Sequence, residues 1–217
     1  MDKQQIPSED VANNKEQHYL TRDEMDTLGE MGNISIGTSA TTLYSLLGNK
    51  VVITTPKVCI TTVSKLSELY PLPFVSIEIE YTRGLDGSNL MIIKEEDAKV
   101  IADMMLGGDG RGDDLELDEL RLSAVGEAMN QMMGSSSTSL STMLNKVNLA
   151  NGRKIGSFTD GEEIVKVSFE MQIGDFLKSE IMQLMPISFA KAIVEELHLT
   201  MQYDNEELAA SPMAKKL

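Results

Sequence analysis

Apolar residues recur at helical spacing from Met25 onward. At about 100° per residue, Met25, Leu28, Gly32, Ile36, Ala40, Leu43 and Leu47 share one face, which predicts a long core-facing helix. Thr21 followed three positions later by Glu24 is a capping-box pattern and places the helix start. Then β-branched runs take over: VVITTPKVCITTV, FVSIEIEYT and LMIIK. In the second of these, Val75, Ile77, Ile79 and Tyr81 alternate with Ser76, Glu78 and Glu80, so the second set is expected to face water. EEDAKVIADMML returns to helical spacing.

The pattern then repeats. Thr27–Lys50 and Ala124–Val147 align without gaps at an offset of 97 residues, matching Gly29 with Gly126, Glu30 with Glu127, Asn33 with Asn130 and Gly37 with Gly134. A second long helix is therefore expected through Val147, with Leu122, Val125, Met129, Met133, Ser137, Leu140 and Leu144 on its core face. IVKVSFEMQI, SEIMQLM and SFAKAIVEEL follow as strand, strand and helix. Each half reads helix, strands, helix. A half of this size leaves much apolar surface uncovered, so the two halves should form one pseudo-symmetric α+β domain, its sheet packed against long helices. The expected organisation is a flexible tail at 1–20, a domain at 21–203 built of repeats at about 21–108 and 115–203, and a linker or tail at 204–217. GLDGSN (84–89) reads as a turn, and GGDGRGDD (107–114) as a flexible connection whose Arg-Gly-Asp is solvated loop.

Composition narrows the function. Hydrophobic residues are 41% and charged residues 24%, the balance of a soluble globular protein. Nineteen basic against 34 acidic residues give a net charge of −15, which argues against nucleic-acid or anionic-lipid binding through bulk charge. One cysteine, Cys59, and two histidines, His18 and His198, make a zinc site improbable. Cys59 is expected to be a small buried hydrophobe. No segment is long and apolar enough for a secretory signal or a bilayer span, so a cytoplasmic protein is expected, without membrane insertion.

Candidate chemistry lies beside the core face. Asp26, Glu30, Asn33 and Gly37 stack along one side of the first helix, and Ser123, Glu127, Asn130 and Gly134 are their counterparts. A helix-interior glycine costs about 1 kcal/mol relative to alanine, so its smallness serves either tight packing or access for a partner. No Ser-His or Cys-His pair is evident. A carboxamide both donates and accepts, so it can hold a water with one end and touch a phosphoryl oxygen with the other. A carboxylate suits a cation, such as a substrate lysine. One Glu-x-x-Asn alone would be ordinary solvated surface. Two at matched positions are harder to explain, because duplication has no packing reason to keep polar residues. Met31 and Ile34 are apolar on the outer side of the helix, as partner contacts or as ordinary isolated surface residues.

Asp26-x3-Glu30-x2-Asn33, followed by 22 residues and Pro56, resembles the CheC/CheX/FliY phosphatases of bacterial chemotaxis. The second copy fits the same head, but Arg153 stands where the proline would fall. Two intact pairs, an N-terminal extension and the wording GEAMNQMMGSSSTSLSTML look most like the flagellar motor switch branch. The resemblance implies hydrolysis of the aspartyl phosphate of phosphorylated CheY. Asn33 and Asn130 would orient water, and Glu30 and Glu127 would pair with the regulator's lysine. From their places on the two stripes and on the outer side of the first helix, Asp26, Gly37, Ser123, Gly134, Met31 and Ile34 are expected to contact the partner. No cofactor is implied for this chain, since Mg²⁺ would sit on CheY. It further implies the switch proteins FliM, FliG and FliN as partners, a place at the cytoplasmic face of the flagellar basal body, and a CheY-binding segment within 1–20. The branch carries a C-terminal FliN-like domain that these residues do not contain, so a fragment or short form is expected. The alternatives are a non-catalytic FliM-like scaffold and a CheC-like phosphatase partnered with the deamidase CheD.

Overall fold

The computed structural model describes residues 19–70, 73–83, 87–111, 116–136, 141–150 and 158–210. The expected 1–20 tail therefore lies outside them up to residue 18, with His18, as do the turn residues 84–86, the connection at 112–115, Arg153 and the end from 211.

The first helix, α1 (Arg22–Leu47), starts as its sequence requires. The Thr21 side chain accepts from the Glu24 amide at 3.2 Å, and the Glu24 carboxylate accepts from the Thr21 amide at 2.6 Å. Leu20, just before the cap, is buried in the core cluster against which Met25 packs. Gly48 closes the helix at φ 64°, where a side chain would be strained, and its amide bonds Tyr44 O.

Strands β1 (Val51–Ile53), β2 (Lys57–Thr62), β3 (Phe74–Arg83) and β4 (Gly87–Lys94) follow. A short helix, α2 (Val63–Leu69), interrupts them, and α3 (Glu95–Met105) ends the half. The second half runs α4 (Glu119–Ser136), β5 (Ser141–Ala150), β6 (Glu163–Ile173), β7 (Leu177–Pro186) and α5 (Ile187–Ala210). Helix α5 continues through 204–210, where a linker was expected.

All described strands join one antiparallel seven-stranded sheet, in the order β1-β6-β7-β4-β3-β5 with β2 also on β6. Strands β4 and β7 meet at the centre, Met91 opposite Gln183. Outside them the halves exchange strands: β1 and β2 pair with β6, and β5 pairs with β3. Neither half completes a sheet alone, which is why the duplication folds as one domain.

The main core lies between one sheet face and the long helices. Leu28, Leu43 and Leu47 of α1 and Val125 and Met129 of α4 are buried there with Val75, Ile77, Phe169 and Met171. Ser39 Oγ of α1 donates to Met132 O of α4 at 3.1 Å, joining the two helices. The other sheet face carries a second cluster of Val63, Leu66, Phe74, Leu90, Ile92, Ile164, Met182 and Leu184. Helix α2 covers it, so Ser76, expected in water, is buried.

Two further expectations need correction. Helix α4 ends at Ser136, and Leu144 lies in β5 instead of on a helix face. Ser135 through Ser139 is a Ser/Thr run, a composition of weak helix propensity, while β3 pairs with the strand that follows. Cys59 is exposed, because β2 pairs with β6 alone and turns this side outward. Beyond α3, residues 107–111 are organised around Asp103, whose carboxylate accepts from the Gly110 amide at 2.9 Å.

Candidate active site

Asp26, Glu30 and Asn33 are all exposed on one side of α1. Their counterparts Ser123, Glu127 and Asn130 are all exposed on α4. Helical spacing brings each carboxylate within one turn of its carboxamide. Both helices hold their pairs rigidly because their opposite faces are core.

At the first pair the sequence also builds a wall. Thr54 N donates to Glu170 O at 2.9 Å, but Pro56 has no N–H to continue the ladder. The strand breaks between β1 and β2, and this connection runs alongside α1. There Gly32 is buried, and a Cβ on it would stand 3.3 Å from Pro56 Cγ and 3.4 Å from Phe169. A Cβ on Gly29 would meet Val58 at 3.7 Å. These two glycines thus serve close packing of helix against strand. The result is an open groove of about 490 Å³ lined by Arg22, Met25, Asp26, Gly29, Glu30 and Asn33 on one side and Thr55, Pro56 and Val58 on the other.

The second pair differs. Met129, the counterpart of Gly32, is buried. Glu127 Oε1 accepts from Gln131 Nε2 at 2.7 Å. Ile34 holds Gln131's place in the first half, so Glu30 has no such amide on the next turn.

Met31 is corrected in placement: it is half-buried and packs against the core cluster instead of standing out in solvent. Ile34, Gly37 and Gly134 lie on these helices, with surroundings outside the described residues. Arg22, Thr55 and Val58 were missed. Arg22 was legible, since it precedes Asp26 by four residues on the same stripe.

A second groove of about 390 Å³, lined by residues including Lys57, Lys94, Lys178, Glu170 and Glu180, holds neither pair. Away from both pairs, Asp97 at the start of α3 is buried, and Ser179 Oγ of β7 donates to its Oδ2. Burial pushes this carboxyl above the usual carboxylate range, with the Ser179 bond pulling the other way. Among the described residues no cluster of His, Cys, Asp or Glu could hold a metal ion, and no helix is long and apolar enough to cross a membrane.

The CheC-like family model matches residues 24–60 and 120–148, the two stretches that carry the pairs. The flagellar motor switch phosphatase FliY of Bacillus subtilis (strain 168) is 45% identical over 199 residues, which is 87% of this chain. The chain spans about half, 53%, of that relative's length. The crystal structure of Thermotoga maritima FliY superposes with a TM-score of 0.73 at 36% identity, covering 82% of this chain and 96% of that one. The FliM middle domain from H. pylori shares the fold, with a TM-score of 0.67 at 13% identity over 82% of this chain and 99% of that one. Sequence, fold and the doubled pair agree: the chain belongs to the CheC-like family, on its FliY branch.

Proposed function

We propose that this chain hydrolyses the aspartyl phosphate of phosphorylated CheY at the flagellar motor switch. The observation that carries the reading is the exposure of both Glu/Asn pairs at matched positions of a duplicated scaffold. Membership of the FliY branch supports it.

The chemistry asks little of the enzyme. An acyl phosphate leaves as a carboxylate, a weak base with a pKa of about 4, so no general acid is needed at the leaving oxygen. A water attacks phosphorus in line with that oxygen, the P–O bond to the aspartate breaks, and the water's proton ends on the released phosphate. What the chain supplies is aim. The Asn33 or Asn130 carboxamide accepts from the water and donates to a phosphoryl oxygen, which fixes the angle of attack. Glu30 or Glu127 pairs with a lysine of the regulator and sets how the two proteins dock. In this reading Mg²⁺ is carried by the regulator and offsets phosphoryl charge there.

The test is steady-state phosphate release from phosphorylated CheY. Asn33→Ala together with Asn130→Ala should lower the catalysed rate by about 100-fold or more, the usual cost of losing a positioning group. A double variant as fast as the unmodified chain refutes the mechanism. The FliM-like fold supports a second role, compatible with the first, as a switch component at the cytoplasmic face of the basal body beside FliM, FliG and FliN. A chain that binds those proteins and never shortens the life of phosphorylated CheY would have that role alone.

A further inference from the structure

We infer that Arg22 is a docking residue that makes the first site bind the phosphorylated regulator more tightly than the second, by pairing with a carboxylate on the regulator's surface. The inference rests on the phosphatase reading above and adds the chemistry that selects between the two sites.

Arg22 is the first residue of α1 and lines the same groove as Asp26, Glu30 and Asn33. It is the one cation among that groove's described lining residues. It is exposed and makes no ion pair among the described residues. A cation there opposes the helix macrodipole, whose N-terminal end favours acidic side chains such as Asp23 and Glu24. The counterpart of Arg22 at the offset of 97 is Glu119, the first residue of α4, and the cation in that helix's own first turn, Arg121, is paired with Asp118 at 3.2 Å. A first-turn cation that lines an open groove and has no ion pair among the described residues marks Arg22 as a residue kept for something other than helix stability.

Geometry decides which group it meets. Eleven residues separate Arg22 from Asn33, about 16 Å along the axis at 1.5 Å per residue. A guanidinium so far from the carboxamide cannot share its phosphoryl group, so it meets another part of the docked protein. Charge decides the sign. The chain carries −15, and Asp26 and Glu30 add two negative charges to the groove. A phosphorylated partner brings further negative charge, so a fixed cation attracts it where Glu119 repels it.

The test is titration of the chain with CheY carrying beryllofluoride, a stable mimic of the acyl phosphate, at low and high salt. Arg22→Glu should weaken the tighter class of sites by about tenfold at low salt, with the gap closing as salt rises. Arg22→Lys should keep most of the affinity, and Glu119→Arg should tighten the weaker class. A tighter class that Arg22→Glu leaves unchanged overturns the inference, whether or not phosphate is released. In hydrolysis assays with Asn130→Ala as background, Arg22→Glu should raise KM and leave kcat alone. A fall in kcat at constant KM also overturns it. If Arg22→Glu weakens binding while no variant releases phosphate, docking by Arg22 stands and the phosphatase reading fails.

Discussion

The two Glu/Asn pairs share their polar residues and differ in several of the residues around them. The first faces a groove walled by Thr55, Pro56 and Val58, entered past Arg22. The second has Met129 where the first has Gly32, Glu119 where it has Arg22, and Ser123 where it has Asp26. Its Glu127 is held by Gln131. That bond is worth only a few tenths of a kcal/mol on an exposed helix, too little to disable the site. The charge reversal at Arg22 and Glu119 and the replacement of Pro56 by Arg153 are the larger differences in sequence. Duplication has kept the two polar residues of each pair and let neighbouring positions diverge. This pattern fits one chemistry offered at two strengths.

The largest expected effect is the inequality of the sites. At low salt and with phosphorylated CheY well below KM, Asn33→Ala should remove about nine tenths of the phosphatase activity and Asn130→Ala about one tenth, as follows if Arg22 contributes about 1.4 kcal/mol, a factor of ten, to docking at the first site. Equal losses in phosphate release would break the comparison.

Packing comes next. Met129→Ala opens a cavity under α4 and should cost about 2–5 kcal/mol in urea unfolding. Gly32→Met pushes a side chain against Pro56 and Phe169 and should cost about 1–3 kcal/mol. The second substitution should also weaken activity at the first site by displacing its wall. The first should leave that site's activity intact.

A smaller effect concerns Asp97, the third residue of α3; the third residue of α5 is the buried Phe189. Burial raises the Asp97 pKa, so the folded chain keeps this proton at pH values where the unfolded chain has lost it. The contribution is therefore present at low pH and is lost as pH rises from the usual carboxylate range through the raised value. Asp97→Asn should remove this loss, so its stability relative to the unmodified chain should rise with pH across that interval. Thermal melts at a series of pH values read it directly, and parallel curves would contradict it.

Legibility followed locality. The capped start of α1 and its core face were readable because Thr21, Glu24 and the apolar spacing act within a few turns. Both pairs were readable because they recur. Helix α2 was missed because Thr61, Thr62 and Val63 extend a β-branched run; the signal was Thr62, whose hydroxyl caps the Lys65 amide. The burial of Ser76 and the exposure of Cys59 depend on which element covers which part of the sheet, and no local pattern encodes that. The early end of α4 was hidden by the repeat itself. Matched residues promised a matched helix, and the strand partner that β3 offers lies far away in sequence.

The most direct measurement is the full cycle of phosphate release by the unmodified chain, Asn33→Ala, Asn130→Ala and the double variant. If each carboxamide serves its own docked regulator, the two single-variant rates should sum to the unmodified rate, and the double variant should fall to the spontaneous rate. A single substitution that abolishes all release, or a double variant that retains it, would contradict two independent sites.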